Sequence, residues 1–158
     1  MAKQIEVTKI FIAPIDMVWK LWTDPELVKR WWGPKQFTSP VAKIDFRIGG
    51  KSIVSMKAPK EMGGQEYYSV WAYVKIIPLQ TIEFIQSLCD EAGNKINPTE
   101  VGMPADFPLD VRTIVIFKKL EKNKTGMTVT EYAEFASISN FAQIGLEESM
   151  EKMVAIFG

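Results

Sequence analysis

The period of apolar and polar positions changes several times along the chain, and each change marks an element. Residues 3–12, KQIEVTKIFI, are rich in β-branched side chains and predict a strand. Ile5 and Val7 share one parity and Ile10 and Ile12 the other, so the strand is expected either to carry a bulge or to be covered on both faces. After Ala13-Pro14, the positions Ile15, Val18, Trp19 and Trp22 follow the i, i+3, i+4, i+7 stripe of an amphipathic helix. Asp16 falls in its first turn, where the helix dipole favours a negative charge, and Pro25 stops it. A second helix starts within Thr23-Asp24-Pro25-Glu26, through a Thr23–Glu26 capping box or an Asp24 cap with Pro25 at the first helical position. Leu27, Val28, Trp31 and Trp32 are its stripe, and Gly33-Pro34 ends it.

From Phe37 the period falls to two. Val41 to Ile48 sets Ala42, Ile44, Phe46 and Ile48 against Lys43, Asp45 and Arg47, predicting a strand that runs into a Gly49-Gly50 turn. Ser52 to Ala58 returns, Met62-Gly63-Gly64 signals a further hairpin, and Tyr67 to Ile77 and Thr81 to Cys89 read as strands. Residues 90–109 have no period and hold three prolines and two glycines, a loop long enough to be either functional or disordered. Arg112 to Leu120 and Met127 to Ala136 are the last strands. The interleaved Lys118, Lys119, Glu121, Lys122 and Lys124 between them suit a solvated hairpin. Residues 138–157 predict a helix capped by Ser137 or Ser139, with Phe141, Leu146, Met150, Met153, Val154 and Phe157 as its stripe and Gly145 and Ser149 as small neighbours. Meandering strands with segregated helices make the class α+β, with an antiparallel sheet.

Composition narrows the chemistry. A length of 158 residues suits one domain, spanning 1–158, and 47% apolar residues suffice for a core without staples. Nineteen basic and nineteen acidic residues cancel, leaving no long-range field for nucleic acid or an anionic membrane. Neither an apolar leader nor an apolar run of membrane-spanning length is present, and a lone cysteine, Cys89, fits a reducing compartment; the expectation is a soluble, cytoplasmic protein. Histidine is absent, which removes the usual neutral-pH base, the Ser-His-Asp and Cys-His pairings, and, with one cysteine, an ordinary zinc site. No metal and no cofactor are expected; neither G-x-G-x-x-G nor a P-loop occurs.

Several motifs carry a resemblance: Ala13-Pro14, Val18-Trp19, Trp22-Thr23-Asp24-Pro25-Glu26, Trp31-Trp32-Gly33-Pro34, Asp45-x-Arg47-x-Gly49-Gly50, Ile77-Pro78, and Gly145-x-x-x-Ser149-Met150-x-x-Met153. In this order they resemble the SRPBCC (START-like, birch-pollen-allergen-like) superfamily and, within it, the family of activators of the heat-shock protein 90 ATPase. The resemblance implies a single START-like domain with the helix-grip fold. A curved antiparallel sheet would wrap a long C-terminal helix, with two short helices after the first strand and a cavity between sheet and helix. It departs at Leu146, where the family often has tryptophan, and at Gln80, where an acid is common; the leucine implies a roomier, drier pocket.

On that reading the cavity wall comprises Trp32, Phe46, Met56, Trp71, Tyr73, Phe84, Ile114, Ile116, Leu146, Met150 and Met153, with loop 90–109 as a lid. Tyr73, Gln86, Tyr67, Arg112 and Glu83 are the polar candidates, and no spacing selects a catalytic one. Trp19 and Trp22 are expected to be core, and Asp45 with Arg47 a surface pair shaping the turn. The expected role is binding of an apolar or amphipathic small molecule or lipid. The alternatives are a cofactor-free cyclase, hydratase or hydrolase, or a chaperone-ATPase-associated adaptor involved in stress response. The tryptophan-rich helices also offer an apolar face for a homodimer.

Overall fold

In the computed structural model, which describes residues 3–158, Pro14 and the Asp24-Pro25 pair turn the chain off its first strand into two short helices. Strand β1 (Lys3–Phe11) precedes α1 (Ile15–Thr23) and α2 (Pro25–Trp31). Asp24 caps α2: its carboxylate accepts from the Glu26 amide at 2.9 Å, with Pro25 in the first turn, so the second of the two capping alternatives is the one used. Val18, Leu21, Trp22, Val28 and Trp31 are buried, and Trp22 and Trp31 meet with ring centroids 4.6 Å apart. Trp22 is core, as its spacing predicts, while Trp19 is half-buried against Phe46 and Phe117.

The sheet has seven antiparallel strands: β1, β2 (Ala42–Lys43), β3 (Lys51–Lys57), β4 (Glu66–Ile77), β5 (Thr81–Cys89), β6 (Val111–Glu121) and β7 (Lys124–Ala133). Their order is β1-β7-β6-β5-β4-β3-β2, so the meander closes when β1 joins the last strand. The final helix, α3 (Ser139–Ile156), lies on one face and buries Ser149, Met150 and Met153. This is the helix-grip architecture that the motifs imply.

Four local expectations are corrected. The predicted strand Val41–Ile48 shrinks to Ala42–Lys43, because the chain coils back on itself after Ile44: the Arg47 amide donates to the Asp45 carbonyl, the Gly50 amide to the Arg47 carbonyl, and Ser52 Oγ accepts from the Asp45 amide at 3.0 Å. Gly50 allows that coil, since a Cβ there would collide with the Asp45 carbonyl oxygen. Arg47 and Asp45 do form the expected turn-shaping pair, 2.9 Å apart and largely exposed. On β1 there is neither a bulge nor a second cover. The register to β7 is continuous, Phe11 carries on the buried parity of Ile5 and Val7, and Ile10 and Ile12 are simply exposed. No side chain caps α3. Ser137 instead donates to the Asp106 carboxylate at 2.7 Å, and Phe141, placed in the apolar stripe, is 76% exposed.

The fourth concerns residues 90–109, which are built rather than structureless. Asp90 accepts from the Ala92 and Asn94 amides at 2.9 Å each, and a single 3-10 turn, Pro98–Val101, is closed by an Asn97–Glu100 capping box. The first half lies on the sheet face opposite α3, where a Cβ on Gly93 would approach Ile53 Cδ1 to 2.9 Å. That half is therefore not a lid over the space between sheet and helix, whereas the second half reaches the segment just before α3, where Asp106 accepts from Ser137.

Candidate functional site

Alternation along the strands decides what faces α3. Ile5, Glu131, Thr113, Phe84 and Tyr73 form one row across β1, β7, β6, β5 and β4, and Val111, Gln86, Trp71 and Ser52 form the next. Buried apolar side chains fall into a large cluster that includes Val7, Val129, Val115, Phe84 and Trp71, and a small one of Ile5, Ala133 and Phe135. Glu131 sits on β7 between Val129 of the first and Ala133 of the second, and Leu146 of α3 packs against both. The core is thus interrupted by a carboxylate and a threonine beneath the first half of α3.

The electrostatics of this interruption are specific. Burial raises the Glu131 carboxyl from an ordinary 4.5 to about 7, because its charged form would lie among apolar neighbours. Beside it, Thr113 Oγ1 is buried without a hydrogen-bond partner, as are Trp71 Nε1 and Trp32 Nε1. The other two buried indoles are satisfied: Trp31 Nε1 donates to the Leu21 carbonyl at 2.7 Å, and Trp22 Nε1 points to Met127 Sδ at 3.2 Å. An unpaired buried donor costs roughly 1–3 kcal/mol. The two indoles meet at β4, Thr113 stands two strands away on β6, and Ser39 Oγ is a fourth buried atom without a partner. Tyr73 is not part of that deficit: its hydroxyl shares a 2.7 Å hydrogen bond with Ser52 Oγ. Burial, outweighing that bond, pushes it up to about 12, so it remains a neutral hydroxyl and not a base.

The sequence-predicted wall separates into three groups. Trp71, Tyr73, Phe84, Met150 and Met153 face inward but are close-packed, between 0% and 3% exposed. Trp32, Phe46, Met56 and Leu146 are inward and half-buried, where Trp32 meets Trp71 edge-on at 5.2 Å and Phe46 meets Tyr73 at 5.1 Å. Ile114 and Ile116 do not belong. They alternate with Thr113, Val115 and Phe117, lie on the outer face, and Ile116 is 50% exposed. Of the polar candidates, Gln86 and Tyr67 share the inner face. Arg112 and Glu83 pair with each other outside at 2.8 Å, with Arg112 over the Tyr132 ring. Glu131 and Thr113 were missed. Their signal was parity: Glu131 keeps step with Met127, Val129 and Ala133, all buried.

Two hollows lie elsewhere. One, of about 530 Å³, opens at the edge between the end of β1 and the last turns of α3, bordered by Lys9, Ile10, Glu151, Val154 and Ala155, and the other, of about 430 Å³, is on the outer face beneath residues 93–95. Neither is lined by Glu131, Thr113, Trp32 or Trp71. Among the described residues, no three His, Cys, Asp or Glu side chains gather in a way that would hold a metal ion, and no helix is long and apolar enough to cross a membrane.

The fold is shared by solved structures. A protein from Arthrobacter aurescens is 25% identical, with a TM-score of 0.77 over 98% of this chain and 85% of its own. One from Chromobacterium violaceum is 19% identical, with a TM-score of 0.78 over 98% and 96%. A Silicibacter pomeroyi protein titled AHSA1 is 16% identical, with a TM-score of 0.73 over 98% and 96%. No curated protein matches the sequence. The profile of one family, described as Activator of Hsp90 ATPase homolog 1-like protein, matches residues 12–158, which is all but β1, and the chain belongs to that family.

Proposed function

We propose that the protein binds a small amphipathic molecule between the inner sheet face and the first half of α3. The observation that supports this reading is the set of unpartnered polar atoms on that face: Trp32 Nε1 and Trp71 Nε1 at β4, and Thr113 Oγ1 on β6, next to the Glu131 carboxyl on β7. The apolar part of the ligand would lie along Trp32, Met56 and Leu146, which are only half-buried. One polar group would offer an acceptor to the indole N–H groups, and a second, across the face, a hydroxyl or amine to Thr113 and Glu131. Trp71, Phe84, Met150 and Met153 would form the packed floor, so entry requires α3 to lift or Leu146 to change rotamer.

Native mass spectrometry of the protein purified from its own host tests this directly. The expected result is a single amphipathic molecule released in stoichiometric amount, with binding that perturbs the Trp32 and Trp71 indole N–H resonances. A protein that is empty, and whose indole resonances stay put against a panel of fatty acids, sterols and aromatic alcohols, overturns the reading.

One observation favours acid–base chemistry at the same place. A carboxyl near 7 holds and releases a proton at working pH, as a general base or acid must. On that reading Glu131→Gln would abolish turnover of the released molecule while retaining its binding; unchanged turnover would exclude Glu131 as the proton carrier.

A further inference from the structure

The outer face of the sheet carries a feature that the inner site does not explain. Val70 and Ala72 of β4 and Ile85 of β5 form an apolar floor, and Val70 is only 5% exposed although it points away from α3. Residues 90–95 roof its edge. They are held down by the Asp90 hydrogen bonds and by a bridge from Lys95 back to Cys89, and Gly93 sits close to Ile53 in a left-handed conformation (φ 90°) that favours glycine. The hollow so made holds about 430 Å³, room for one aromatic ring with a short polar arm.

Its charges are unequal. Asp110 accepts from Lys95 Nζ at 2.6 Å and from Ser87 Oγ at 2.6 Å. Burial works against its charge, but those bonds prevail and hold it below the ordinary carboxylate value. Lys95 is thereby spent on Asp110. Lys51, across the floor, lines the hollow and has no acidic partner among the described residues. The nearby Arg112 and Glu83 neutralise each other. Among the side chains that line the hollow, two ammonium groups stand against one carboxylate and Lys51 is unpaired, while of the roof carboxylates Asp90 is turned to the Ala92 and Asn94 amides and Glu91 lies toward Tyr68.

We propose that this hollow is a second, separate binding site, taking a small organic anion with an apolar body, such as an aryl or short alkyl carboxylate. The carboxylate pairs with Lys51, the body lies on Val70, Ala72 and Ile85, and the Asp110–Lys95–Ser87 bonds keep the rim open. The site is on the opposite face from Glu131, so it stands or falls independently of the inner one.

The test is a ¹H–¹⁵N titration of the full chain with phenylacetate and, in parallel, with the uncharged phenylacetamide. Saturable shifts at Lys51, Val70, Ala72, Ile85 and Gly93 to Lys95 are expected with phenylacetate. Affinity for phenylacetamide should be lower by about three- to fivefold, as expected for losing one partly exposed ion pair. Lys51→Gln, at an exposed position, should bring phenylacetate down to the affinity of the amide. Equal affinity for the two probes, shifts confined to Thr113, Glu131 and the indoles, or no saturable shift with either would each overturn the proposal.

Discussion

Glu131 shows how much one inward carboxylate changes. Its folded pKa, about 7, lies above the ordinary 4.5 expected of the unfolded chain. Below about pH 4.5 both states hold the proton and folding pays no penalty. Between 4.5 and 7 the unfolded chain releases it first, and above 7 the full cost is carried by the folded state. Stability should therefore fall as pH rises through this window, by an amount on the order of 2 kcal/mol. Glu131→Gln should unfold at the same denaturant concentration as the parent at pH 4.5 but at a higher one at pH 8. Equal midpoints at both pH values would mean that the carboxylate is well solvated. The effect of Gly50→Ala lies in the backbone instead. The new Cβ collides with the Asp45 carbonyl oxygen, so the coil of residues 45–50 must open and pull Ser52 from the Asp45 amide. A loss of about 2 kcal/mol or more is expected in urea melts, and a change within about 0.5 kcal/mol would show that the coil relaxes freely.

At the scale of elements, α3 is tied to the break after α2 by one lysine. Lys152 Nζ donates to the carbonyls of Gly33, Pro34 and Phe37 at 3.0, 2.8 and 3.0 Å, and Ser149 Oγ adds a bond to Gly33 at 2.9 Å. Gly145 lies beside Pro34, with room for a Cβ at ordinary contact distance, so of the two small residues it is Ser149, through its bond to Gly33, that joins the helix to this break. Lys152→Met keeps the aliphatic stem but strands the Phe37 carbonyl, since Gly33 keeps its bond from Ser149 and Pro34 its bond from the Phe37 amide, so a loss of about 1–3 kcal/mol is expected. Amide exchange should quicken at Phe37 and Thr38; unchanged exchange there would show the loop to be held by other contacts. Such bonds were not legible, since a lysine in a helix reads as solvated until the partner loop is known. The elements themselves were legible wherever one period dominated, as in α1, α2, β4 and β5. Their inward face was not where both parities are apolar: β6 itself is where it was expected, but Ile114 and Ile116 compete with Val115 and Phe117, and only pairing with β5 and β7 decides which set faces α3. The strand read into Val41–Ile48 failed for a different reason. Its alternation is real, but Asp45 and Arg47 satisfy their backbone groups locally, and no partner strand is needed.

Across the whole molecule, the two ends of the chain hold each other. β1 pairs only with β7, so residues 3–11 wait for residues 125–133 before the sheet is complete. Phe11 at the end of β1 is 1% exposed and meets Phe157, just beyond α3, edge-on with centroids 6.0 Å apart. Contacts of such sequence separation cost much chain entropy before they return any stabilisation, so this closure is expected late in folding. The order has a consequence for the inner site, because Glu131 and Thr113 are enclosed only once β1 and α3 are both in place. A double-mutant cycle measures the closure. Phe11→Ala should cost about 3–5 kcal/mol through the cavity it leaves. Phe157→Ala, at a half-buried position, should cost less, and the pair should fall short of additivity by about 0.5–1.5 kcal/mol. If the closure is late, both variants will speed unfolding and leave the folding rate nearly unchanged. Strict additivity would separate the two rings in solution, and a matching loss in folding rate would place β1 in the nucleus, with the inner site formed around it from the start.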